Sequence, residues 1–157
     1  MSEKYLILGS NSFIASGLID CLLNNKCKVF GISRSVEYND IFLSYKKNKF
    51  FKKNFKFFRY DINKSSEKII KLINKEKITI IFNFISQGMV EQSWLNPEDW
   101  YNTNVVSQVN LIEKIKNYKF IKKFIHFTTP EVYGSNNKWI KENYSFNPST
   151  PYANSRA

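Results

Sequence analysis

The stretch Tyr5-Leu6-Ile7-Leu8-Gly9-Ser10-Asn11-Ser12-Phe13-Ile14-Ala15-Ser16-Gly17 sets the architecture. Its four leading apolar residues read as a short buried strand, and small residues then lead into a helical pattern. A strand that breaks at a glycine and restarts as a helix suits a pyrophosphate. Backbone N–H groups can approach it closely, and the positive end of the helix dipole favours its charge. Only Gly9 places a glycine on the three-residue spacing; Ser12 and Ala15 hold the next two places and are small enough to permit the approach. Gly9, Ser12, Phe13 and Ile14 are therefore the candidate pyrophosphate contacts. Alone the motif is weak, because many tight turns share it.

The rest of the chain alternates in the same way. Ser12 to Leu23 reads as a helix with Phe13, Ile14, Gly17, Leu18, Cys21 and Leu22 on one face. Cys27 to Ile32 is a second strand, and Ser35 to Asn54 is loop with a short helix around Ile41 to Tyr45. Phe55 to Phe58 is a third strand, and Ser65 to Asn74 a helix with Ile69, Leu72 and Ile73 inward. Ile78 to Ile85 is apolar apart from Thr79 and Asn83, a nearly continuous run of the kind a strand buried on both faces shows. A long helix starts at Asn96-Pro97-Glu98-Asp99, where asparagine caps, proline fits the first turn and two acids face the positive dipole end. Val105, Val109, Ile112 and Ile115 continue its inner face, and Phe124 to Phe127 is the fifth strand. Strands alternating with helices give a parallel sheet with right-handed crossovers. The expected fold is α/β, a Rossmann-type doubly wound parallel sheet truncated after the fifth strand, with residues 1–157 forming one dinucleotide-binding domain.

Composition narrows the class. The 157 residues are 43% hydrophobic and 17% aromatic, enough for one core. No apolar run is long enough to span a membrane. The head Met1-Ser2-Glu3-Lys4 is too short and too acidic for a signal peptide. Cys21 and Cys27 lack metal or redox spacing and read as reduced packing residues, which places the protein in the cytoplasm. The net charge of +11 comes from lysines spread over the whole chain. Lys46 to Lys56 interleaves lysine with phenylalanine as a nucleic-acid strip would, but a solvated loop leading into a strand accounts for it. No specific nucleic-acid partner is expected.

About twenty residues after Gly9, the second strand ends in Ser33-Arg34, where an acid would bind the ribose hydroxyls of NAD. A hydroxyl and a guanidinium suit a 2′-phosphate instead, since arginine meets phosphate oxygens with a forked set of donors. NADP is therefore favoured over NAD. Otherwise Arg34 is an exposed arginine on a loop. Asp61-Ile62 follows the third strand; Asp61 is either an acceptor for the adenine amino group or a cap for the turn before Asn63.

Two further segments carry chemistry. His126-Phe127-Thr128-Thr129-Pro130-Glu131-Val132-Tyr133-Gly134 is a strand that stops at a hydroxyl, a proline and a carboxylate. Thr150-Pro151-Tyr152-Ala153-Asn154-Ser155-Arg156 is a helix start. Helical residues four apart share a face, so Tyr152 and Arg156 point the same way, and a phenol beside a fixed cation gives up its proton more easily. His126, inside the strand, reads as a core residue. Each of these taken singly reads as structural.

Together the segments resemble the N-terminal part of an extended short-chain dehydrogenase/reductase of the nucleotide-sugar epimerase and dehydratase group. Asn83-Phe84-Ile85-Ser86-Gln87 resembles the strand end that lines the cofactor, which adds Ser86 and Gln87 to the expected contacts. Ser93 and Asn104 fall where the group has a serine and a helix asparagine, which adds Asn104 to the expected contacts. Thr128 to Gly134 is similar to the Ser-Thr-x-Glu-Val-Tyr-Gly segment of 4,6-dehydratases. Tyr152 to Arg156 matches Tyr-x-x-x-Lys with arginine in the last place, and Tyr152 follows Glu131 by 21 residues.

The resemblance implies roles. Tyr152 takes the sugar O4 proton while hydride leaves C4, and Thr129 hydrogen-bonds the same oxygen. Arg156 lowers the tyrosine pKa and holds the nicotinamide ribose. Glu131 removes the C5 proton before water leaves from C6, and hydride returns to C6. Pro130 stands where some dehydratases have an aspartic acid, so Glu131 serves as both base and acid. The implied substrate is a nucleotide sugar. The alternatives are a 4-epimerase, a uronate decarboxylase, or an inactive dinucleotide-binding fragment. Family members continue for about as long again with a substrate domain and pair as homodimers through two helices. Pairing is doubtful for this chain, and its tail from Thr150 to Ala157 is expected to be loosely held.

Overall fold

The computed structural model describes residues 3–157. Five strands form one all-parallel sheet: β1 (Lys4–Leu8), β2 (Lys28–Ser33), β3 (Phe55–Arg59), β4 (Ile80–Asn83) and β5 (Lys123–His126), in the order β3-β2-β1-β4-β5. The order reverses at β1, so the carboxyl ends of β1, β2 and β4 open one crevice, where ligands of such sheets bind. The Rossmann-type sheet expected from the alternation is the sheet observed.

The helices that cover it are α1 (Phe13–Asn24), a single turn α2 (Phe51–Asn54), α3 (Ser66–Glu76), α4 (Pro97–Tyr101), α5 (Ser107–Ile115) and a short α6 (Pro151–Asn154). One core lies between the sheet and α3 and α5, built on Leu6, Leu8, Phe30, Ile32, Ile69, Ile73, Ile81 and Leu111. The other lies under α1, built on Ile7, Ala15, Ile19, Leu23, Val29, Leu43, Tyr45 and Phe55. β1 feeds both cores from alternate residues, which is why its run is continuously apolar.

Three sequence expectations shift here. α1 buries Ala15, Ser16, Ile19 and Leu23, whereas Phe13 is 89% and Ile14 63% exposed. The helix is apolar nearly all round, so its periodicity does not choose a face; small Ala15 lets the helix start lie close to the sheet. Cys21, expected to pack, is exposed, and Cys27 is half-buried. The helical turn expected at 41–45 falls at Ser44–Lys47, with Leu43 and Tyr45 fully buried as anchors of the long β2–β3 connection.

The long helix from Asn96 is interrupted by a π-helical turn, Asn102–Val106, between α4 and α5. Its inner face carries Trp100, Thr103, Asn104, Gln108, Leu111 and Ile115, all buried. Val105, Val109 and Ile112, expected inward, are exposed; only Ile115 stays inside. The stripe is displaced by one residue because polar side chains at this level are needed inside, against the polar end of β4. Such π-turns are frequent at functional sites.

Candidate active site

Gly9 closes β1 with φ +81° and donates its N–H to Ile32 O of β2 at 2.8 Å. A Cβ there would lie 2.9 Å from the Phe84 carbonyl carbon, so the turn passes directly over the end of β4. Ser12 then caps α1, its Oγ accepting from Ala15 N at 3.3 Å. Among the described residues, the N–H groups of Phe13 and Ile14 have no protein partner, as the first turn of a helix leaves them. Their exposed side chains point away; what they offer an anion is backbone.

The crevice beside this turn has a volume of about 220 Å³. Of the candidate contacts, Gly9, Ser12, Ser33, Arg34, Asp61, Ile62 and Ser86 line it, and so do Asn11, Ser35, Tyr60 and Thr103, which the sequence reading did not single out. Ser10 Oγ and Asn11 Oδ1, at the same turn, are buried without a partner. Buried polar atoms left open on a glycine turn, two free helix N–H groups and an arginine at the rim fit an anionic dinucleotide.

Arg34 is exposed and donates from Nη1 to Gln87 Oε1 at 3.1 Å. Its own carbonyl accepts from Arg59 Nε at 3.3 Å, so a second guanidinium, pinned by the pairing of Ser33 with Arg59, stands at the same end. Arg59 carried no sequence signal beyond being a cation at a strand end. Asp61 caps the turn, its Oδ1 accepting from Asn63 N at 2.8 Å, and the residue also lines the crevice.

Gln87 and Asn104, expected among the contacts, do not line the crevice; they brace it. Asn104 is 6% exposed. Its Oδ1 accepts from Gln87 N at 2.7 Å, and its Nδ2 donates to Gln87 O at 3.1 Å and Ser155 Oγ at 2.9 Å. Ser155 Oγ in turn donates to Tyr152 O at 2.8 Å. One asparagine thus fastens the strand end after β4 to the tyrosine turn. A parallel brace runs through Ser93, whose Oγ donates to Val90 O and accepts from Tyr152 N at 3.1 Å.

Below it, buried Asn83 accepts from Ile85 N at 3.1 Å and donates to Gln108 Oε1 at 2.7 Å. Its amide also meets His126 Nδ1 at 2.9 Å. An amide N–H donates, so Nδ1 accepts and the ring proton is on Nε2. His126 is exposed rather than in the core, because β5 is an edge strand. Burial of part of its ring, and then the Arg156 charge, lower its pKa below the usual 6.5.

The two chemistry-bearing segments meet at the ends of β4 and β5. Thr129 Oγ1 accepts from Glu131 N at 3.4 Å and caps a 3-10 turn, Pro130–Tyr133. Thr128 Oγ1 donates to Arg156 O at 2.7 Å, and Asn147 N to Val132 O at 2.9 Å. Thr150 caps α6 through Ala153 N at 3.0 Å, and Tyr101 Oη donates to Asn154 Oδ1 at 2.6 Å. Glu131 lines a cavity of about 170 Å³ together with Val90, Gly134, Ser149, Thr150 and Ala153.

The tail is not the loosely held segment expected: Ala153, Ser155 and Arg156 are buried, and these bonds tie it to three other elements. Arg156 lies two residues beyond the end of α6 at Asn154, with its guanidinium turned inward and the residue 7% exposed. Nη1 donates to Ile85 O at 3.2 Å and Nη2 to Phe127 O, while Nε is buried without a partner. Burial lowers its pKa, and the nearby Tyr152 opposes that shift.

The GDP-mannose 4,6 dehydratase family model matches residues 6–157. Human dTDP-D-glucose 4,6-dehydratase is 30% identical over 160 residues, covering 99% of this chain and 44% of that protein. The dTDP-D-glucose 4,6-dehydratase of Dictyostelium discoideum is 34% identical over 116 residues, 66% of this chain and 26% of its own. Among solved structures, the UDP-Glc/GlcNAc 4-epimerase of Campylobacter jejuni aligns with a TM-score of 0.84 at 26% identity, covering 99% of this chain and 46% of that one. UDP-glucuronic acid 4-epimerase from Bacillus cereus, in complex with UDP-glucuronic acid and NAD, aligns with a TM-score of 0.82 at 27% identity, covering 98% of this chain and 48% of that one. The chain spans less than half the length of these relatives. It belongs to the GDP-mannose 4,6-dehydratase family, among the nucleotide-sugar dehydratases and epimerases of the extended short-chain dehydrogenase/reductases, and it matches their N-terminal half.

Proposed function

We propose that this chain is the dinucleotide-binding part of an NAD(P)-dependent nucleotide-sugar 4,6-dehydratase. One observation carries the reading: Glu131, on its capped turn, shares a cavity with the start of the Tyr152 helix. A carboxylate placed there suits removal of a proton from the carbon next to a new ketone, which 4-epimerisation does not require.

A nicotinamide dinucleotide, when bound, would supply the hydride acceptor for C4 and the hydride donor for C6. Gly9, Ser12 and the N–H groups of Phe13 and Ile14 would hold its pyrophosphate, with Asp61, Ile62 and Ser86 along its length. Ser33, Arg34 and neighbouring Arg59 favour a 2′-phosphate, hence NADP over NAD, because two guanidinium groups complement a phosphate better than two hydroxyls.

Tyr152 takes the O4 proton, its main chain fixed from both sides by Ser93 and Ser155. Arg156 keeps a positive charge near that phenol, though its donors serve two strand-end carbonyls rather than the ribose. Thr129 retains its hydroxyl proton for the sugar oxygen while its lone pair caps the Glu131 turn. Glu131 removes the C5 proton and delivers it to the departing C6 hydroxyl, which leaves as water; once hydride is back on C6, C5 takes up a solvent proton through Glu131 and Tyr152 releases its proton to solvent. Pro130 offers no second acid.

The test uses the protein at its relatives' full length with a panel of nucleotide sugars. Glu131→Gln should still allow C4 oxidation but no exchange of solvent deuterium into C5, and Tyr152→Phe should abolish transient cofactor reduction. Normal turnover by Glu131→Gln would favour the 4-epimerase reading, which the similarity to UDP-sugar 4-epimerase structures supports. Two free thiols support a cytoplasmic setting. Among the described residues, no helix is long and apolar enough to cross a membrane. The exposed stripe Val105, Val109 and Ile112 supports homodimer pairing through α5.

A further inference from the structure

We propose that Gln87 sets the cofactor preference by competing for Arg34, an inference that rests on Arg34 being the reader of the 2′-phosphate. The sheet order places β1 between β2 and β4. Arg34 follows β2 and Gln87 follows β4, so their 3.1 Å bond spans the end of β1, beside the Gly9 turn and the crevice it lines. Both ends of this strap are anchored by main-chain bonds. Arg59 Nε holds the Arg34 carbonyl, and the Asn104 amide holds both the N–H and the carbonyl of Gln87. The two side chains are therefore presented to each other by fixed backbone.

A neutral amide oxygen is a weak rival to a phosphate. A phosphate adds an opposite charge and several oxygens that match the forked donors of a guanidinium, so a 2′-phosphate draws Arg34 off Gln87. A cofactor ending in a ribose hydroxyl does not, and leaves the strap in place. Part of the affinity for the phosphorylated cofactor is spent releasing Gln87, and the NADP to NAD ratio reflects the difference. The residue type at position 87 thereby tunes a preference whose reader sits on another strand.

The experiment is calorimetric titration of wild type, Arg34→Ala, Gln87→Ala and Gln87→Glu with NADP and with NAD, read as the ratio of the two affinities. Freeing Arg34 in Gln87→Ala should raise the ratio about 2- to 10-fold, the worth of one solvent-exposed hydrogen bond. Gln87→Glu offers Arg34 a carboxylate and sets a negative charge against the phosphate, so the ratio should fall by about 10-fold or more. A wild-type preference for NADP that disappears in Arg34→Ala but is unmoved by both Gln87 substitutions overturns the competition and leaves the 2′-phosphate reading standing. Equal affinities in wild type, unchanged in Arg34→Ala, overturn both.

Discussion

Replacing Gly9 by alanine tests how closely the turn passes over the end of β4. The φ of +81° lies in the left-handed region, where a side chain costs about 1–2 kcal/mol. The added Cβ would also meet three main-chain atoms: Phe84 C at 2.9 Å, and Ile85 N and Phe84 O at 3.0 Å. No flexible side chain can yield there. Phe84 is held by its N–H to Leu8 O at 2.8 Å, so relief must come from parting β1 and β4 at the end that forms the crevice. Crowding of this kind costs about 1–3 kcal/mol. The sum, about 3 kcal/mol, should lower the melting temperature by about 6–12 °C in a domain of this size. Gly17 is the internal control. It lies exposed in α1 with nothing within 4 Å of a built Cβ, and Gly17→Ala should stabilise by about 0.5–1 kcal/mol. Two glycines of one motif thus respond with opposite sign in thermal unfolding followed by circular dichroism. A Gly9→Ala protein that melted within a degree of wild type would refute the close approach.

Asn104→Ala removes three hydrogen bonds and strands the Gln87 N–H; a loss of about 3 kcal/mol is expected, seen as a lower urea midpoint at unchanged slope. Gly134→Ala should cost about as much, because φ is +72° and a Cβ would lie 2.2 Å from Asn147 O; limited proteolysis should open the chain near the Glu131 turn first. His126 has a lowered pKa in the fold, so the unfolded chain binds more protons just below pH 6.5. The stability it contributes is present above that pH and is lost as pH falls through the lowered value. His126→Gln should flatten the fall of urea stability below pH 6.5, and a slope that survives the substitution assigns it to other groups.

The strands were legible because a strand buried on both faces is written as a run, and Leu6 to Leu8 and Ile78 to Ile81 are such runs. Helix faces were harder. α1 reads Phe-Ile-Ala-Ser-Gly-Leu-Ile-Asp-Cys-Leu-Leu, and an all-round apolar helix gives periodicity nothing to select. Its buried set of Ala15, Ile19 and Leu23 is chosen by how close the Ser12 cap brings the helix to the sheet. In α4 and α5 the rule that apolar residues face inward fails for a definite reason. Thr103, Asn104 and Gln108 are inside because Asn63, Gln87 and Asn83 await them there, and burying a polar group without such a partner is costly. Those partners come from distant parts of the chain, so no local window shows them.

The site divides in the same way. The resemblance named Thr129, Glu131, Tyr152 and Arg156 together, and the two segments that carry them do meet at the ends of β4 and β5, since strand ends and helix starts are fixed by local signals. What each side chain touches was not legible. The four-residue spacing of Tyr152 and Arg156 assumes a helix that continues, yet α6 stops at Asn154 and Arg156 turns under it. There the substitution of arginine for lysine acquires a physical meaning. An ammonium is one compact charge on a flexible stem, whereas a guanidinium is a rigid fork with several donors. The fork engages Ile85 O and Phe127 O together and so joins the ends of β4 and β5. The cation is then held in place by the sheet itself, and its position relative to Tyr152 no longer depends on a bound ribose.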